Sequence, residues 1–226
     1  YGFLNSQSRS LHRIGAPVDF MFRFDLKKDD VKKYKLFFMF NLFYLNEDEV
    51  ENLVDMFRNS GTTVVWFYAP GFVTDKGFNL KQMERLSGFK FKVIEKPGPM
   101  MIQSRINGLK FGVKSRKYYP RFVVTDDAEV LGEWIDGIGN GFCFKRYNGY
   151  NSFYIGCAPV PVEILRWIAK RAGIKLWSDH PDIVFAVKDM AMLVATSKGK
   201  RTFEIPTRMV RYLSLIHISE PTRQAE

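Results

Sequence analysis

Apolar and polar positions change their period several times along the chain, and each change predicts an element. Ser6 to Arg13 carries a helical pattern that Gly15 breaks. PVDFMFRFDL (Pro17 to Leu26) then alternates, with Val18, Phe20, Phe22 and Phe24 on one face, which predicts a strand. After the polar link KKDDVKKY, the run KLFFMFN (Lys35 to Asn41) is apolar almost throughout, as a central strand covered on both faces would be. Asn46 as a cap, Glu49 three residues later, and the stripe Val50, Leu53, Val54 and Phe57 predict a helix that Gly61 closes. TVVWFY (Thr63 to Tyr68) follows as a second buried strand. Strand, helix and strand with short links predict a right-handed crossover between neighbouring parallel strands. Asn79 to Leu86 is a further short helix, ending at Ser87-Gly88.

From Phe89 the pattern turns to short β segments divided by Gly, Pro and Asn. FVVTDDAEVLGEW (Phe122 to Trp134) and GFCFKRYNGYNSFYIGC (Gly141 to Cys157) read as antiparallel, the second a hairpin turning at Asn148-Gly149. If Tyr147 opposes Tyr150, Cys143 falls opposite Tyr154 and Cys157 points to the other face, so no disulfide joins the two cysteines. VPVEILRWIAKRAG (Val160 to Gly173) is an amphipathic helix with Pro161 in its first turn and Gly173 at its end. KLW, IVFAVKDMAMLVATS and RTFEIP add strands beyond it. The expected organisation is one α/β domain over residues 1–181 and a β-rich end over 182–212 that begins a following β domain. Residues 213–226 form a tail outside the fold: Leu213 to Arg223, LSLIHISEPTR, resemble the in-frame translation of a sequencing adapter. The start at Tyr1 reads as truncated, so the compartment is not legible.

Composition narrows the function classes. With 46% hydrophobic and 15% aromatic residues the chain can bury a large core. No apolar run approaches the roughly 20 residues of a membrane span, so no membrane partner is expected. The net charge of +10 raises nucleic acid as a partner. The basic residues are scattered, however, and the densest group (Lys27, Lys28, Lys32, Lys33, Lys35) sits among Asp25, Asp29 and Asp30. A solvated basic surface is the expectation, with no nucleic-acid partner. Two cysteines, Cys143 and Cys157, are too few for a thiolate metal site, and no metal or cofactor is expected.

The abrupt end of TVVWFY at Ala69-Pro70-Gly71 has the shape of a strand-terminal elbow. A nucleophile elbow carries Ser or Cys at its point and a histidine as base. Ala69 and Pro70 offer no attacking atom, and one Gly with one Pro cannot cradle phosphate. Cys157, at the end of another strand before a helix, is the alternative nucleophile, but neither His12 nor His180 stands at a partnering distance in sequence. Asp126-Asp127 with Glu133 and Asp136 is a conceivable glycosidase pair, though adjacent acids in a Gly-rich antiparallel region are more often turn and edge residues. Tyr68 and Trp134 could line a sugar cleft. Asn41, Tyr68, Ala69, Pro70 and Gly71 would border the crevice at the carboxyl ends of the parallel strands, the default ligand position in an open α/β sheet.

The order of these motifs resembles a known family. RIGAPVDF (Arg13 to Phe20), YKLFFMFN (Tyr34 to Asn41), VVWFYAPG (Val64 to Gly71), MERLSGFK (Met83 to Lys90), YYPRFVV (Tyr118 to Val124), GCAPVPVEILRWIAKRAG (Gly156 to Gly173) and SDHPDIVFAV (Ser178 to Val187) are similar, in order and spacing, to the class I glutamine-amidotransferase-like domain of family 42-type glycoside hydrolases. That domain is known in family 42 β-galactosidases as the trimerisation domain. The resemblance implies a flavodoxin-like three-layer α/β/α sandwich with an antiparallel β extension at its C-terminal end and a lost amidotransferase site. It implies a non-catalytic accessory and oligomerisation role for this fragment. It also implies a catalytic barrel upstream in the parent chain and homo-oligomeric association as partners. A carbohydrate-binding module at the crevice and a thiol hydrolase using Cys157 are the alternatives.

Overall fold

The computed structural model describes residues 2–187 and 190–204. The adapter-like tail, and residues 205–212 of the β-rich end, lie outside the described residues. The chain opens with α1 (Gly2–His12), then passes through α2 (Lys28–Lys33), β1 (Leu36–Met39), α3 (Glu47–Phe57) and β2 (Thr63–Phe67). The signals at α3 act as read. Asn46 Oδ1 accepts from the Glu49 N–H and the Glu49 carboxylate accepts from the Asn46 N–H, each at 2.9 Å, which satisfies two donors that a helix start leaves open. Strands β1 and β2 run parallel, from Leu36 opposite Thr63 to Met39 opposite Trp66.

A small hairpin of β3 (Val73–Thr74) and β4 (Gly77–Phe78) leads into α4 (Leu80–Ser87). Asn79 caps α4, and Gly88 ends it in the left-handed region. A Cβ at Gly88 would stand 2.3 Å from the Tyr147 ring, so the stop also fixes how closely the helix approaches the sheet. Seven strands follow: β5 (Phe91–Ile94), β6 (Gly98–Ser104), β7 (Lys110–Tyr118), β8 (Arg121–Val124), β9 (Glu129–Trp134), β10 (Asn140–Tyr147) and β11 (Tyr150–Ile155). β10 and β11 form the predicted hairpin in the predicted register, with Tyr147 opposite Tyr150 and Cys143 opposite Tyr154. Both cysteines are free and buried in different cores. β11 then lies parallel to β2.

Among the described residues the main sheet has nine strands, ordered β1-β2-β11-β10-β9-β6-β7, with β8 attached to β10 and β5 to β8. Only the β1-β2-β11 end is parallel; the remaining pairs are antiparallel. The fold is therefore α/β with a mixed sheet. After β11 come α5 (Val162–Arg171) and a separate hairpin of β12 (Ile183–Val187) and β13 (Met190–Val194). β2 alternates between two cores. Val65 and Phe67 join Leu11 of α1 and Ile164, Leu165 and Ile168 of α5, while Val64 and Trp66 join Val50, Leu53 and Phe57 of α3 and Met83 and Leu86 of α4.

The strand predicted over Pro17 to Leu26 does not form. Val18 packs on one core and Leu26 on the other, so the segment crosses from one face of the sheet to the other and turns through a 3-10 helix at Arg23–Asp25. The Tyr34 hydroxyl, donating to Asp19 at 2.5 Å, ties it to the end of α2. A period of two reports which residues could share a face, not whether a neighbouring strand is there to receive them. Phe20, Phe22 and Phe24 end up exposed instead.

Charge sits mostly where it is solvated. Lys32 pairs with Asp29 at 3.0 Å and Lys33 with Asp30 at 3.3 Å, so the basic group near α2 is partly cancelled. At the β7 border of the sheet, Lys110, Lys114 and Lys117 are all exposed. Lysines on an edge strand oppose the addition of another strand.

Two buried side chains hold the loops. Gln7 bonds Val160 twice, donating to its carbonyl at 3.1 Å and accepting from its N–H at 2.6 Å. Arg121 is 1% exposed, and its Nη1 donates to Asp136 at 2.7 Å, with weaker bonds to the Pro99 and Lys96 carbonyls. Its guanidinium fills the space where a side chain at Gly98 would stand. Removing the acid strands a buried charge, which costs about 3–5 kcal/mol. Asp136→Ala is therefore expected to destabilise the fold by about 3 kcal/mol in urea denaturation. An unchanged midpoint would show that Arg121 needs no counter-charge.

Candidate functional site

β1 and β2 finish at the same border of the sheet, and each is followed by a residue with left-handed backbone. Asn41 has φ 56° and Tyr68 has φ 60°. Asparagine visits that region readily, whereas for a bulky residue it is an outlier that costs on the order of 1–3 kcal/mol. The Tyr68 N–H still donates to the Ile155 carbonyl at 3.0 Å, continuing the bonding to β11, before the chain turns away. The elbow expected from sequence is therefore present, but its apex is Tyr68, one residue before Ala69-Pro70. A sequence signal for this existed. A residue preceding proline is disfavoured in helical conformations, which pushes the turn off Ala69 and toward Tyr68.

The side chain at that apex is fully engaged. The Tyr68 hydroxyl donates to the Pro120 carbonyl at 2.7 Å, and the Tyr68 carbonyl accepts from the Tyr154 hydroxyl at 2.8 Å. Its ring stands edge-on to Phe43 and Phe122, with centroids 5.7 Å and 5.6 Å away. Burial raises the phenol pKa above its ordinary value, so Tyr68 stays protonated and has no nucleophilic oxygen to offer at neutral pH.

The crevice beside it is lined by Phe40, Asn41, Phe43, Tyr68, Cys157 and Ala158, among others, and encloses about 10 Å³. That is room for about one water and no more. The structure thus brings Asn41 and Tyr68 together at the crevice. Ala69, Pro70 and Gly71 are buried behind it: Phe72 donates to the Ala69 carbonyl at 3.3 Å, Gly71 donates to Leu42 at 2.6 Å, and the Gly71 carbonyl accepts from Gln82 at 2.8 Å. They shape the turn and present no atom to the crevice.

Cys157 is 1% exposed, and its thiol donates to the Phe111 carbonyl at 3.6 Å. Burial pushes its pKa up, the reverse of what a thiolate nucleophile needs. His12 packs its ring against Phe20 and Phe185, and His180 Nδ1 lies 2.7 Å from Asp179, so neither histidine serves as a base for this thiol. Three of the four acids are committed as well, and the fourth, Asp127, is exposed. Asp126 accepts from Lys145 at 2.6 Å, Asp136 from Arg121, and Glu133 from Arg105. Trp134, weighed in sequence as one wall of a sugar cleft, is 2% exposed with its indole N–H donated to the Phe122 carbonyl at 3.0 Å. It is a core residue, because β9 lies inside the sheet and the side chain needed an internal acceptor. Among the described residues no three His, Cys, Asp or Glu side chains are grouped to hold a metal.

Burial also raises the Cys143 thiol, to about 12. Neither cysteine is expected to react with Ellman's reagent at pH 8 in the native protein, and both should react in denaturant. Rapid native labelling of Cys157 would mean an accessible, activated thiol.

No protein-family model matches the chain, and no curated protein matches it. Solved structures do. The fold is similar to part of Gan42B, a GH42 beta-galactosidase from G. stearothermophilus, at a TM-score of 0.57 and 16% identity over 80% of this chain and 28% of that one. It is similar to the beta-galactosidase of Bacillus circulans sp. alkalophilus at 0.58 and 15% over 82% of this chain and 30% of that one. It is likewise similar to the beta-galactosidase of the haloarchaeon Halorubrum lacusprofundi at 0.59 and 15%, over 80% and 28%. The chain spans less than a third of the length of these structures. At such identities the likeness is one of fold: the chain has the α/β fold of one part of the GH42 beta-galactosidase chains.

Proposed function

We propose that this chain is a non-catalytic accessory domain of a glycoside-hydrolase-type protein, built on a flavodoxin-like scaffold of the class I glutamine-amidotransferase kind. Its work is to pack on a catalytic barrel of the parent polypeptide and to carry contacts between subunits. One observation supports this above the rest. The elbow at the end of β2 keeps the strained backbone of a nucleophile turn while its apex holds Tyr68, a protonated phenol already bonded to Pro120. Strain of this sort is retained where surrounding structure over-determines it, and here no reactive group makes use of it. The fold likeness to part of the GH42 beta-galactosidase chains, of which this chain covers under a third, supports reading it as one domain of a larger glycoside-hydrolase-type protein.

The isolated chain is expected to hydrolyse neither nitrophenyl galactosides nor glutamine, and Cys157→Ala should leave that null result unchanged. Turnover of glutamine that disappears in Cys157→Ala would replace this reading with a thiol hydrolase. Saturable binding of galacto-oligosaccharide in calorimetry, lost in Tyr68→Ala, would replace it with a carbohydrate-binding module that opens the crevice.

A further inference from the structure

The chain beyond α5 builds a second cavity, which shares no lining residue with the crevice at Tyr68. One wall is the last part of α5, where Arg166 and Lys170, four residues apart, lie on one helix face. The other wall is a pair of extended segments joined at the bridge between Ser178 and Phe203. The Glu204 N–H donates to the Trp177 carbonyl at 2.7 Å, and the Thr202 N–H donates to the Asp179 carboxylate at 3.1 Å. Successive side chains of extended backbone take opposite faces. Trp177, Asp179, Thr202 and Glu204 therefore share the face away from the bridging pair, and all four line the cavity. It encloses about 270 Å³, against about 10 Å³ at the crevice. Pockets for drug-sized ligands run from roughly 300 to 1,000 Å³, so this one suits a single ring.

The walls are held in place before any ligand arrives. Arg166 donates to four carbonyls, those of Ile14 and His180 at 2.7 Å and of Ser178 and Asp179 at 3.0 Å, which fixes its guanidinium. The Trp177 N–H donates to the Gly15 carbonyl at 2.7 Å, and its side chain is half-buried, so part of the indole faces the cavity. The Asp179 carboxyl, bonded by His180 and then by Thr202, is held down at about 2 and is ionised at neutral pH. Lys170, Asp179 and Glu204 are exposed, and the Glu204–Lys175 pair at 2.7 Å is a solvated one that a ligand displaces at little cost. The charged side chains of the lining are two cations, Arg166 and Lys170, and two anions, Asp179 and Glu204. Their sum favours a ligand of neither sign. We propose that this cavity binds a neutral sugar ring, its C–H face on the Trp177 indole, its hydroxyls donating to Asp179 and Glu204 and accepting from Lys170. A sugar offers what these walls ask for: one apolar face and a rim of groups that both donate and accept. A carboxylate ligand would be repelled by Asp179 and Glu204, and an amine by Arg166 and Lys170. The site does not rest on the accessory reading, since a catalytic and a non-catalytic domain can equally carry it.

Nuclear magnetic resonance of the nitrogen-15-labelled chain tests this. The four tryptophans give four indole N–H signals, and Trp177→Phe assigns the one at the cavity. Titration with galactose, glucose or mannose is expected to move that signal saturably for at least one sugar, while the signals of buried Trp66 and Trp134 stay in place. Lys170→Ala and Glu204→Gln should each weaken binding about fivefold, the loss of one hydrogen bond. Both residues are exposed, so these two variants keep the test valid should a change at Trp177 disturb the fold. Galacturonate and galactosamine, titrated at pH 6, present a hexose ring with one negative or one positive charge, and both should bind more weakly than galactose. Galacturonate binding at least as tightly as galactose overturns the assignment in favour of an anion site on Arg166 and Lys170. Galactosamine doing so overturns it in favour of a cation site on Asp179 and Glu204. A Trp177 signal that none of the three neutral sugars moves overturns the site itself.

Discussion

Everything in this molecule is arranged around the double burial of β2. Five consecutive residues, Thr63 to Phe67, are buried, with Val65 and Phe67 turned to one core and Val64 and Trp66 to the other. Neither face of such a strand can be left to water, so helices must lie on both sides of it. Neither edge can be left unpaired, so β1 and β11 must flank it. The edge-on aromatic row Phe37, Phe57 and Trp66 on one side and the stacked Phe40–Phe67 pair on the other follow from that demand. So does the elbow: once β2 is clamped on both edges, the chain can leave the sheet only by a sharp turn at its end.

That constraint explains why the turn can outlast any reactive group. A left-handed tyrosine is unfavourable alone, but Tyr68 is held by a backbone bond to Ile155, a hydroxyl bond to Pro120 and a carbonyl bond from Tyr154. Three neighbours, from two distant parts of the chain, fix the same residue. The conformation is a consequence of where β2 and β11 stop and β8 begins, and chemistry is not needed to account for it.

Local features were legible in the sequence and distant ones were not. Asn46 with Glu49 marked the start of α3, and Asn148-Gly149 set the β10–β11 register down to the Cys143–Tyr154 pair, because both signals act within a few residues. The Pro17 to Leu26 segment misled because alternation says nothing of a receiving edge. The sheet order was likewise hidden: β11 enters beside β2 through contacts such as the Asn151 N–H to the Thr62 carbonyl, about which neither strand's own residues carry a signal. At the candidate site, Asn41 and Tyr68 meet at the crevice, whereas Trp134, weighed for a sugar cleft against the commoner core role of strand aromatics, lies in the core. Its indole partner, the Phe122 carbonyl, is set by tertiary packing alone.

The row of Lys110, Lys114 and Lys117 on β7 gives the basic composition of the chain a meaning unrelated to any ligand. A nine-stranded sheet has a long perimeter, and positive charge along one side makes stacking of like molecules rim to rim unfavourable. Acetylating those amines would remove the positive charge and leave the β7 edge less protected against pairing with another strand.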